Sequence, residues 1–370
     1  MSQCIEESSN GSVVQRLSTL DRLLPVLIFV AMALGVALGA LVPGIKSAFS
    51  ALSIGTVSLP IAVGLLWMMY PVLAKVKYEE LGKVARGGRQ FAVALTLNWL
   101  IAPAAMFVLA YLMLPDFPHY RTGLILVGIS PCIAMVLIWN LLAGGDNEYC
   151  AVLVALNSIL EILLFSLLAY LYLQVVPQWL GAEGTMVRIS MGEIARSVLI
   201  FLGIPLAAGF LTRTLLRGRK GADWYDQRFM PRLGPTAMIG LLFTIVAMFS
   251  MQGDKLLAAP GDVLRVSMPL LAYFVVMFAL SFVIALWRRF PYETAVTQSF
   301  TAASNNFELA IAVAVATFGI ASPEALATVI GPLIEVPVLI GLVYVALWLK
   351  KAFYHPDGRH KARIPRKAVG

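Results

Sequence analysis

The sequence predicts an all-α integral membrane protein, and three observations support this prediction. Of the 370 residues, 60% are hydrophobic and 13% are charged, whereas soluble domains have roughly 45–50% apolar and about 25% charged residues. Ten apolar runs are long enough to cross a bilayer as helices, at about 20 residues each. The Lys and Arg residues are unevenly distributed among the segments that connect these runs. The composition excludes an ordinary soluble enzyme, a disordered protein and a nucleic-acid-binding protein.

The ten apolar runs extend over most of the chain. We interpret them as helices because they are longer than typical strands, show no strict alternation, and must satisfy their backbone hydrogen bonds within lipid. The segment before the first run lacks the basic region and cleavage site of a signal peptide, so we expect the first span to be retained. Prolines inside the runs should bend these helices. The predicted spans are residues 23–43, 51–74, 91–115, 122–142, 150–176, 197–216, 235–252, 264–287, 292–319 and 325–349.

The positive charges indicate which side of the membrane each connection faces. Of the 28 Lys and Arg residues, 22 lie in the two termini and the even-numbered connections, and 6 lie in the odd-numbered ones. The positive-inside rule therefore places both termini in the cytoplasm. The formal net charge of +8 thus reflects membrane topology rather than a polyanionic partner. We expect the basic C-terminal tail to be a solvated anchor that attracts anionic lipid, at about 1 kcal/mol per charge near the surface.

Weak internal similarity divides the ten spans into two halves of five. Val26–Phe29 is similar to Val198–Phe201, and Val63–Trp67 is similar to Ile239–Phe243, at nearly the same offset along the chain. Because each half has an odd number of spans, the halves would have opposite orientations, as in many secondary transporters. The predicted organisation is a cytoplasmic N-terminal tail over residues 1–22, a first five-helix repeat over 23–176, an extracytoplasmic connection over 177–196, a second five-helix repeat over 197–349 and a basic cytoplasmic tail over 350–370.

Spans 4 and 9 each contain a helix-breaking segment near the centre. In span 4, Pro131 lacks a backbone donor and clashes with the preceding turn. In span 9, the run Thr301–Glu308 contains Ser and Asn side chains that compete with helical hydrogen bonds. The offset between the first pair of similar strings makes Cys132 equivalent to Ser304. Because interrupted spans at matching positions of two halves indicate a transport site, we predict broken helices that cross near the middle of the membrane.

Three carboxylates lie within the predicted spans. Glu308 follows the polar run in span 9, Glu335 lies inside span 10, and Glu161 lies in span 5. A carboxylate within a membrane is energetically expensive and therefore suggests a function. One that gains and loses a proton would suit a proton carrier. The alternative for each is a buried structural acid, held by hydrogen bonds or kept protonated.

Cys132 follows the proline in span 4, where a thiol could contact a substrate, although a buried cysteine often serves only for packing. Cys150 and Cys4 are expected to be incidental, and three cysteines cannot form a disulfide framework. Because the predicted depths of the three thiols differ, a three-thiolate metal site is not expected. The sequence has no other metal-ligand spacing, and we expect no cofactor.

Sequence motifs argue for a transporter driven by an ion gradient rather than an enzyme. The chain contains no Walker A motif, no HExxH and no serine elbow. Among the other polar residues within spans, Asn98 and Asn157 are expected to form hydrogen bonds between helices. Asn140 lies near the cytoplasmic end of span 4 and is expected to be solvated.

Several segments are similar to those of a known family. They are Leu66–Val76, Tyr78–Leu81, Cys132–Val136, Trp139–Asn140, Phe300–Ala312 and Gly331–Pro337. On these segments, and over roughly residues 17–350, the chain resembles the Acr3-type arsenite efflux permeases of the bile acid, arsenite and auxin transporter group. It departs from the common pattern at Pro131, Leu141 and Glu161, where many members have arginine, aspartate and a neutral polar residue. The first two departures bear on substrate range and coupling.

The resemblance implies ten spans in the plasma (inner) membrane. It also implies export of arsenite, and sometimes antimonite, in exchange for protons, with no obligatory ATPase subunit. Arsenite at neutral pH is mostly the uncharged trihydroxide, which hydroxyl and amide groups can bind and one thiol can capture reversibly. In the family, the matching residues Cys132 and Glu308 are tied to transport, the thiol as the metalloid contact and the carboxylate as the proton-coupling group. To these we add Glu335 as a second proton-coupling residue and, as polar substrate-binding residues, Ser304, Asn305 and Asn306.

Two other functions are compatible with the same predicted architecture. One is a sodium-coupled carrier of organic anions such as bile acids, because crossing broken helices also form sodium sites. The other is a membrane receptor or structural subunit that transports nothing, although the paired helix breaks argue against it. Sodium dependence in sealed vesicles would favour the first, and ligand binding without flux would favour the second.

Overall fold

The computed structural model is helical over almost all of the residues that it describes, which are 19–42, 44–54, 57–83, 88–181, 190–258, 260–320, 322–355, 358 and 361. Most of the two predicted tails lies outside this part. Up to residue 181 the elements are α1 (Thr19–Leu41), α2 (Ile45–Ala51), β1 (Ser53–Ile54), β2 (Val57–Ser58), α3 (Leu59–Lys75), a 3₁₀ helix (Tyr78–Lys83), α4 (Gly88–Thr96), α5 (Ala102–Met113), α6 (Pro118–Gly128), α7 (Val136–Ala143), α8 (Asn147–Tyr170) and α9 (Val176–Trp179). From residue 190 they are α10 (Met191–Val198), α11 (Ile204–Lys220), α12 (Ala222–Trp224), α13 (Met230–Ala258), α14 (Pro260–Trp287), α15 (Tyr292–Ala303), α16 (Phe307–Phe318) and α17 (Pro323–Phe353).

Nine of the ten predicted spans coincide with one helical stretch or with two consecutive helices. The predicted start of the span over 51–74 is wrong, because Ser53–Ile54 and Val57–Ser58 pair as short antiparallel strands and the helix begins at Leu59. Six continuous stretches of the described residues are long and apolar enough to cross a membrane, and three further apolar helices are shorter. The all-helical class is therefore confirmed, whereas the count of ten spans, their arrangement as two inverted halves and the domain boundaries stay predictions. The six stretches are Gly88–Met113, Asn147–Trp179, Met191–Lys220, Ala222–Met251, Pro260–Trp287 and Pro323–Phe353.

Within the described residues, four π-helical turns interrupt the long helices, and each ends two residues before a proline. Proline has no N–H and its ring clashes with the carbonyl four residues earlier. A π turn shifts the hydrogen-bond register at that point, so the helix continues past the proline. At Pro103 and Pro205 the irregularity that the sequence predicts takes this form. The four turns and their prolines are Leu97–Ile101 with Pro103, Leu171–Val175 with Pro177, Leu199–Gly203 with Pro205 and Tyr225–Phe229 with Pro231.

The helices pack as two groups. The first, called the four-helix group, contains α1, α3, α11 and α13, and the second, called the core group, contains α5 to α8 and α14 to α17. Glycines allow close approach within the four-helix group. A Cβ atom on Gly209 of α11 would lie 2.7 Å from the main-chain nitrogen of Ala74 in α3, and one on Gly64 of α3 would lie 2.5 Å from the hydroxyl of Thr244 in α13. Small residues at helix crossings are a common means of packing in membranes.

Large apolar side chains are exposed on the outer faces of both groups. Phe29 and Ile239 of the four-helix group are 57% and 54% exposed, and Leu163 and Val283 of the core group are 65% and 59% exposed. Such a surface would be unfavourable in water, and lipid tails would cover it. It therefore agrees with the prediction of a lipid bilayer as the surrounding partner.

Candidate functional site

The two predicted helix breaks lie side by side and pair through their backbones. The chain leaves α6 at Gly128 and re-enters a helix at Val136, and it leaves α15 at Ala303 and re-enters at Phe307. The N–H of Cys132 donates to the carbonyl of Ser304 at 3.1 Å, and the N–H of Asn306 donates to the carbonyl of Ser130 at 2.8 Å. These bonds form an antiparallel bridge between Pro131 and Asn305. Two non-helical segments thereby satisfy each other's backbone groups away from water, as a membrane interior requires.

The two asparagines of the second break fix its position with their side chains. The Oδ1 atom of Asn306 accepts from the N–H of Leu309 at 3.1 Å and so caps the N-terminus of α16. The amide of Asn305 donates to the carbonyl of Val127 at 3.0 Å and to the hydroxyl of Tyr273 at 3.3 Å. Its Oδ1 atom is buried and has no hydrogen-bond partner among the described residues. Asn305 therefore offers a free acceptor at the junction of the breaks.

Three carboxylates surround the paired breaks; Glu161 and Glu335 are buried, and Glu308 is partly exposed to the cavity described below. Glu161 of α8 accepts from the hydroxyl of Ser130 at 2.9 Å, and its two oxygens accept from the amide of Asn306 at 3.2 and 3.0 Å. Glu335 of α17 accepts from the hydroxyl of Ser304 at 2.5 Å. Glu308, in the first turn of α16, is close enough to interact electrostatically with both. All three carboxylates that the sequence singles out are therefore in one cluster, with Glu308 coupled to the other two.

The thiol of Cys132 lies inside this cluster. The side chain is 2% exposed, and its sulfur accepts a hydrogen bond from the N–H of Val136 at 3.3 Å. It also lies against the hydroxyl of Ser304, within electrostatic reach of Glu308 and Glu335. Among the described residues, no group of three His, Cys, Asp or Glu side chains is placed to hold a metal ion. The arrangement therefore presents one thiol beside hydroxyl, amide and carboxyl groups rather than a closed metal site.

A cavity of about 460 Å³ separates the four-helix group from the core group and reaches Glu308. Lys75 is the lysine and Glu308 the carboxylate among its described lining residues. Most of the remaining lining is apolar and comes from α3, α7 and α13. The apolar lining includes the methionines Met68, Met135, Met230 and Met238. The cavity connects a broken-helix junction to the gap between two packed groups of helices.

The structure also tests the expectations for other polar residues. Asn157 accepts a hydrogen bond from Trp99 Nε1 at 3.1 Å, so the predicted bond between helices is confirmed. Asn98 is buried, but neither of its amide atoms has a hydrogen-bond partner among the described residues, so that prediction is wrong. Asn140 is fully buried rather than solvated, and its Oδ1 atom accepts from the hydroxyl of Thr297 at 2.6 Å. The sequence does not show that α15 covers this end of α7.

Sequence reasoning missed Tyr273 and the methionine-rich cavity lining. Tyr273 lies within the apolar helix α14, is 1% exposed, and contacts Asn305 through its hydroxyl. A single hydroxyl-bearing aromatic within an apolar span was the available signal, because such a hydroxyl needs a partner when it is buried. The methionines are far apart in sequence, so no local pattern reveals that they share a cavity.

A helical membrane bundle with paired broken helices, and a cavity leading to them, defines a membrane transporter. Comparison with known proteins agrees with this class. The sequence model of the sodium bile acid symporter family matches residues 62–259. On this match, and on the similarity to curated relatives described next, the chain belongs to the Acr3 arsenical-resistance family within the sodium bile acid symporter family.

Three relatives have sequences similar to nearly the whole chain. The arsenical-resistance protein Acr3 of Corynebacterium glutamicum is 49% identical over 342 residues, which is 92% of each chain. The arsenical-resistance protein Acr3 of Alkaliphilus metalliredigens is 33% identical over 88% of this chain and 92% of its own. An uncharacterised transporter of Synechocystis is 33% identical over 94% of this chain and 93% of its own. The transporter class predicted from the sequence, as opposed to an enzyme, is therefore confirmed.

Proposed function

We propose that this protein exports trivalent arsenite from the cytoplasm in exchange for protons and so provides arsenic resistance. The observation that carries the proposal is the placement of the Cys132 thiol at the junction of the two breaks, beside Ser304 and within reach of Glu308 and Glu335. The names of two relatives, which are arsenical-resistance proteins, agree with it. We place the protein in the plasma (inner) membrane, as the family resemblance implies, with both termini in the cytoplasm, as the distribution of its Lys and Arg residues predicts.

The chemistry of the junction suits the arsenite trihydroxide. Arsenic(III) is thiophilic, so the thiol of Cys132 can displace one hydroxide. One S–As bond then forms, one As–O bond breaks, and the thiol proton leaves with the hydroxide as water. The remaining hydroxyl groups need acceptors, and the unpartnered Oδ1 atom of Asn305 supplies one. Ser304 and Asn306 complete the polar lining, and a single thiol keeps the capture reversible.

The cavity provides a route from the predicted cytoplasmic side to the junction. It lies beside Lys75, at the end of α3 where the charge distribution predicts cytoplasm, and it reaches Glu308. Its apolar lining with polarizable thioether groups suits an uncharged metalloid better than a charged ion. Movement of the four-helix group against the core group would then close this route and open the opposite one.

We assign proton coupling to Glu308 and Glu335. Exchange of a neutral substrate for an inward proton moves net charge, and the membrane potential contributes about 2.3 kcal/mol per charge per 100 mV. This energy source requires no ATPase subunit.

We extend the substrate range to antimonite, which is also a trihydroxide of a thiophilic element. The sodium-coupled organic-anion carrier is not favoured, because the named relatives are arsenical-resistance proteins.

The test is arsenite uptake into everted membrane vesicles, in which export is measured as uptake. Vesicles from cells with and without the protein are compared with a proton gradient imposed, with the gradient collapsed, and with sodium present or absent. We expect uptake that requires the protein and is lost when the proton gradient is collapsed. Uptake that follows sodium instead of protons would contradict proton exchange. No uptake under any condition, with the protein detected in the membrane, would contradict arsenite transport.

A further inference from the structure

The two helix breaks contain the same hydrogen bond at the same sequence spacing. The hydroxyl of Ser130 donates to Oε1 of Glu161 at 2.9 Å, and the hydroxyl of Ser304 donates to Oε1 of Glu335 at 2.5 Å. In both pairs the glutamate follows the serine by 31 residues. The interval along the chain from Ser130 to Ser304 therefore equals the interval from Glu161 to Glu335. One serine–glutamate unit is present twice, once in each half of the chain.

The two units occupy equivalent places in the fold. Each serine lies in its own helix break, and each glutamate lies on the next long helix of the same half, α8 or α17. The interval between the two units falls between the two offsets that relate the similar apolar segments, and it makes Ser130, rather than Cys132, the counterpart of Ser304. This correspondence supports the inverted repeat and makes Glu161 the counterpart of Glu335.

We propose that Glu161 is a second repeat-related proton-binding residue of the transport cycle, acting on the first break as Glu335 acts on the second. This inference rests on the proposed proton-coupled function. It assigns to Glu161 a role in coupling rather than in folding alone. The three carboxylates Glu161, Glu308 and Glu335 would then share the protons that the cycle moves.

The surroundings of Glu161 fit a group that exchanges a proton. It is fully buried, and no Lys, Arg or His of the described residues forms an ion pair with it. Glu308 of α16 is the titratable group whose charge acts on it. Mutual repulsion in a buried site disfavours the state in which all three carboxylates are ionised. The other titratable side chains on α8 and on the elements packed against it are Tyr78, Glu79, Glu148, Tyr149, Cys150, Tyr170, Tyr172, Glu193, Arg196, Tyr292 and Glu293.

Hydrogen bonding gives Glu161 a direct connection to the second break. When ionised, both of its oxygens accept from the amide of Asn306, at 3.2 and 3.0 Å. When protonated, one oxygen becomes a donor and a weaker acceptor, so the two-oxygen contact with that amide weakens. Because Asn306 also caps α16, which carries Glu308 in its first turn, a proton on Glu161 would change how α16 is held. This contact links the charge of Glu161 to the position of Glu308.

The experiment compares two transport modes in proteoliposomes for the wild type, Glu161→Gln and Glu161→Asp. Glutamine keeps a carbonyl acceptor but cannot carry a titrating proton. We expect Glu161→Gln to lose much less of its arsenite-for-arsenite exchange than of its gradient-driven accumulation, because exchange needs no net proton movement. Accumulation driven by a proton gradient should fall by at least about tenfold, the size of an ordinary coupling between two sites, and should depend less steeply on pH, because Glu308 and Glu335 still titrate. Glu161→Asp should restore both.

Glu324→Gln is the matched control. Glu324 is another buried glutamate, 3% exposed, but it pairs with His119 at 2.6 Å and lies at the start of α17, away from the breaks. We expect this variant to keep gradient-driven accumulation and its pH profile. Wild-type accumulation and pH profile in Glu161→Gln would overturn the proposal. So would equal loss of exchange and accumulation without rescue by Glu161→Asp, because that result indicates a structural role.

A second measurement separates this proposal from arsenite transport itself. Protonated carboxyl groups have an infrared C=O band that ionised ones lack, and it can be followed with pH in the detergent-solubilised protein without substrate. We expect Glu161→Gln and Glu335→Gln each to remove part of the band that titrates in the wild type. If the wild type does not carry arsenite, the proposed function fails, yet this titration still decides the role of Glu161. An unchanged band at every pH in Glu161→Gln would overturn the proposal.

Discussion

The main-chain N–H of Cys132 donates to the carbonyl of Ser304 at 3.1 Å. This hydrogen bond joins the thiol-bearing residue of the first helix break to a serine of the second. Because this bond and the bridge between Pro131 and Asn305 use backbone atoms, they do not depend on the side chains of Cys132 and Ser304. Replacing either side chain should therefore leave the paired breaks in place. The roles of the two side chains in transport can therefore be tested by substitution while the backbone pairing of the two breaks is retained.

Cys132→Ser tests the role of the thiol. Serine retains a small polar side chain but forms no comparable bond to arsenic, so kcat/KM for arsenite should fall by at least about tenfold, or about 1.4 kcal/mol of lost stabilisation. Cys150→Ser is the matched control, because Cys150 is also a free buried thiol but lies at the start of α8, away from the junction. Uptake kinetics in everted vesicles provide the measurement. Equal kinetics for the wild type and Cys132→Ser would remove the thiol from the mechanism.

The substitution Asn306→Ala tests whether Asn306 acts only as the cap of α16 or also takes part in transport. The substitution removes the cap of α16 and the amide that contacts Glu161, and loss of a cap costs about 1 kcal/mol of stability. The control is Ser322→Ala, which removes the side-chain cap of α17, where the Ser322 hydroxyl accepts from Ala325 at 3.1 Å. Thermal unfolding in detergent should show a loss for both variants, larger for Asn306→Ala because buried Glu161 also loses a hydrogen-bond donor. Arsenite uptake should fall in Asn306→Ala alone, and an equal loss in Ser322→Ala would reduce Asn306 to a structural cap.

The breaks could be predicted from the sequence because helix interruption is a local property. Pro131 removes a backbone donor, and the polar side chains of Ser304, Asn305 and Asn306 compete for backbone hydrogen bonds in their own neighbourhood. The apolar runs were equally visible, since the length of a hydrophobic run is what a bilayer selects. These features need no knowledge of which helices are neighbours.

The contacts across the site could not be predicted, because they join residues that are distant in the chain. The amide of Asn306 reaches Glu161 across 145 residues, and the hydroxyl of Thr297 reaches Asn140 across 157. Such partners depend on how α7, α8, α15 and α16 pack together. The predictions for Asn140 and Asn98 are therefore wrong: Asn140 is buried, and the side chain of Asn98 has no hydrogen-bond partner in the described part of the chain.

Glu79 should make stability depend on pH at the predicted cytoplasmic side. Arg213, whose side chain is 4% exposed, donates to both oxygens of Glu79, at 2.6 and 3.1 Å. Burial alone would raise the pKa of Glu79, but the hydrogen bond from Arg213, with the charges of Arg213 and Arg217, lowers the pKa from 4.5 to about 2. A lowered pKa means that the stabilisation is present above pH 4.5 and is lost as the pH falls toward 2.

Glu79→Gln should therefore unfold at a lower temperature than the wild type at neutral pH. Its unfolding temperature should also change less between pH 4.5 and 2, because glutamine does not titrate. Asp226→Asn is the control, since Asp226 contacts Arg213 only at 3.7 Å and should have a smaller effect. Thermal unfolding in detergent over this pH range is the measurement. Parallel pH profiles for the wild type and Glu79→Gln would contradict the role of this ion pair.

Two glycines of α11 should respond oppositely to the same substitution. A Cβ atom on Gly209 would lie 2.7 Å from main-chain atoms of both Leu73 and Ala74, which cannot move without shifting α3. Gly209→Ala should therefore destabilise the protein by about 1–3 kcal/mol, as overpacking does. A Cβ atom on Gly218 would meet nothing within 4 Å, so Gly218→Ala should be neutral or stabilising by up to about 1 kcal/mol through helix propensity.

The comparison isolates packing, because both glycines lie in one helix and receive one methyl group. Thermal unfolding in detergent ranks the two variants against the wild type. Since Gly209 joins α11 to α3, whose residues Met68, Val72 and Lys75 line the cavity, a shift there should also lower arsenite uptake. Similar unfolding temperatures for Gly209→Ala and Gly218→Ala would mean that α3 and α11 can separate slightly without loss, and that the close approach does not hold the cavity wall in place.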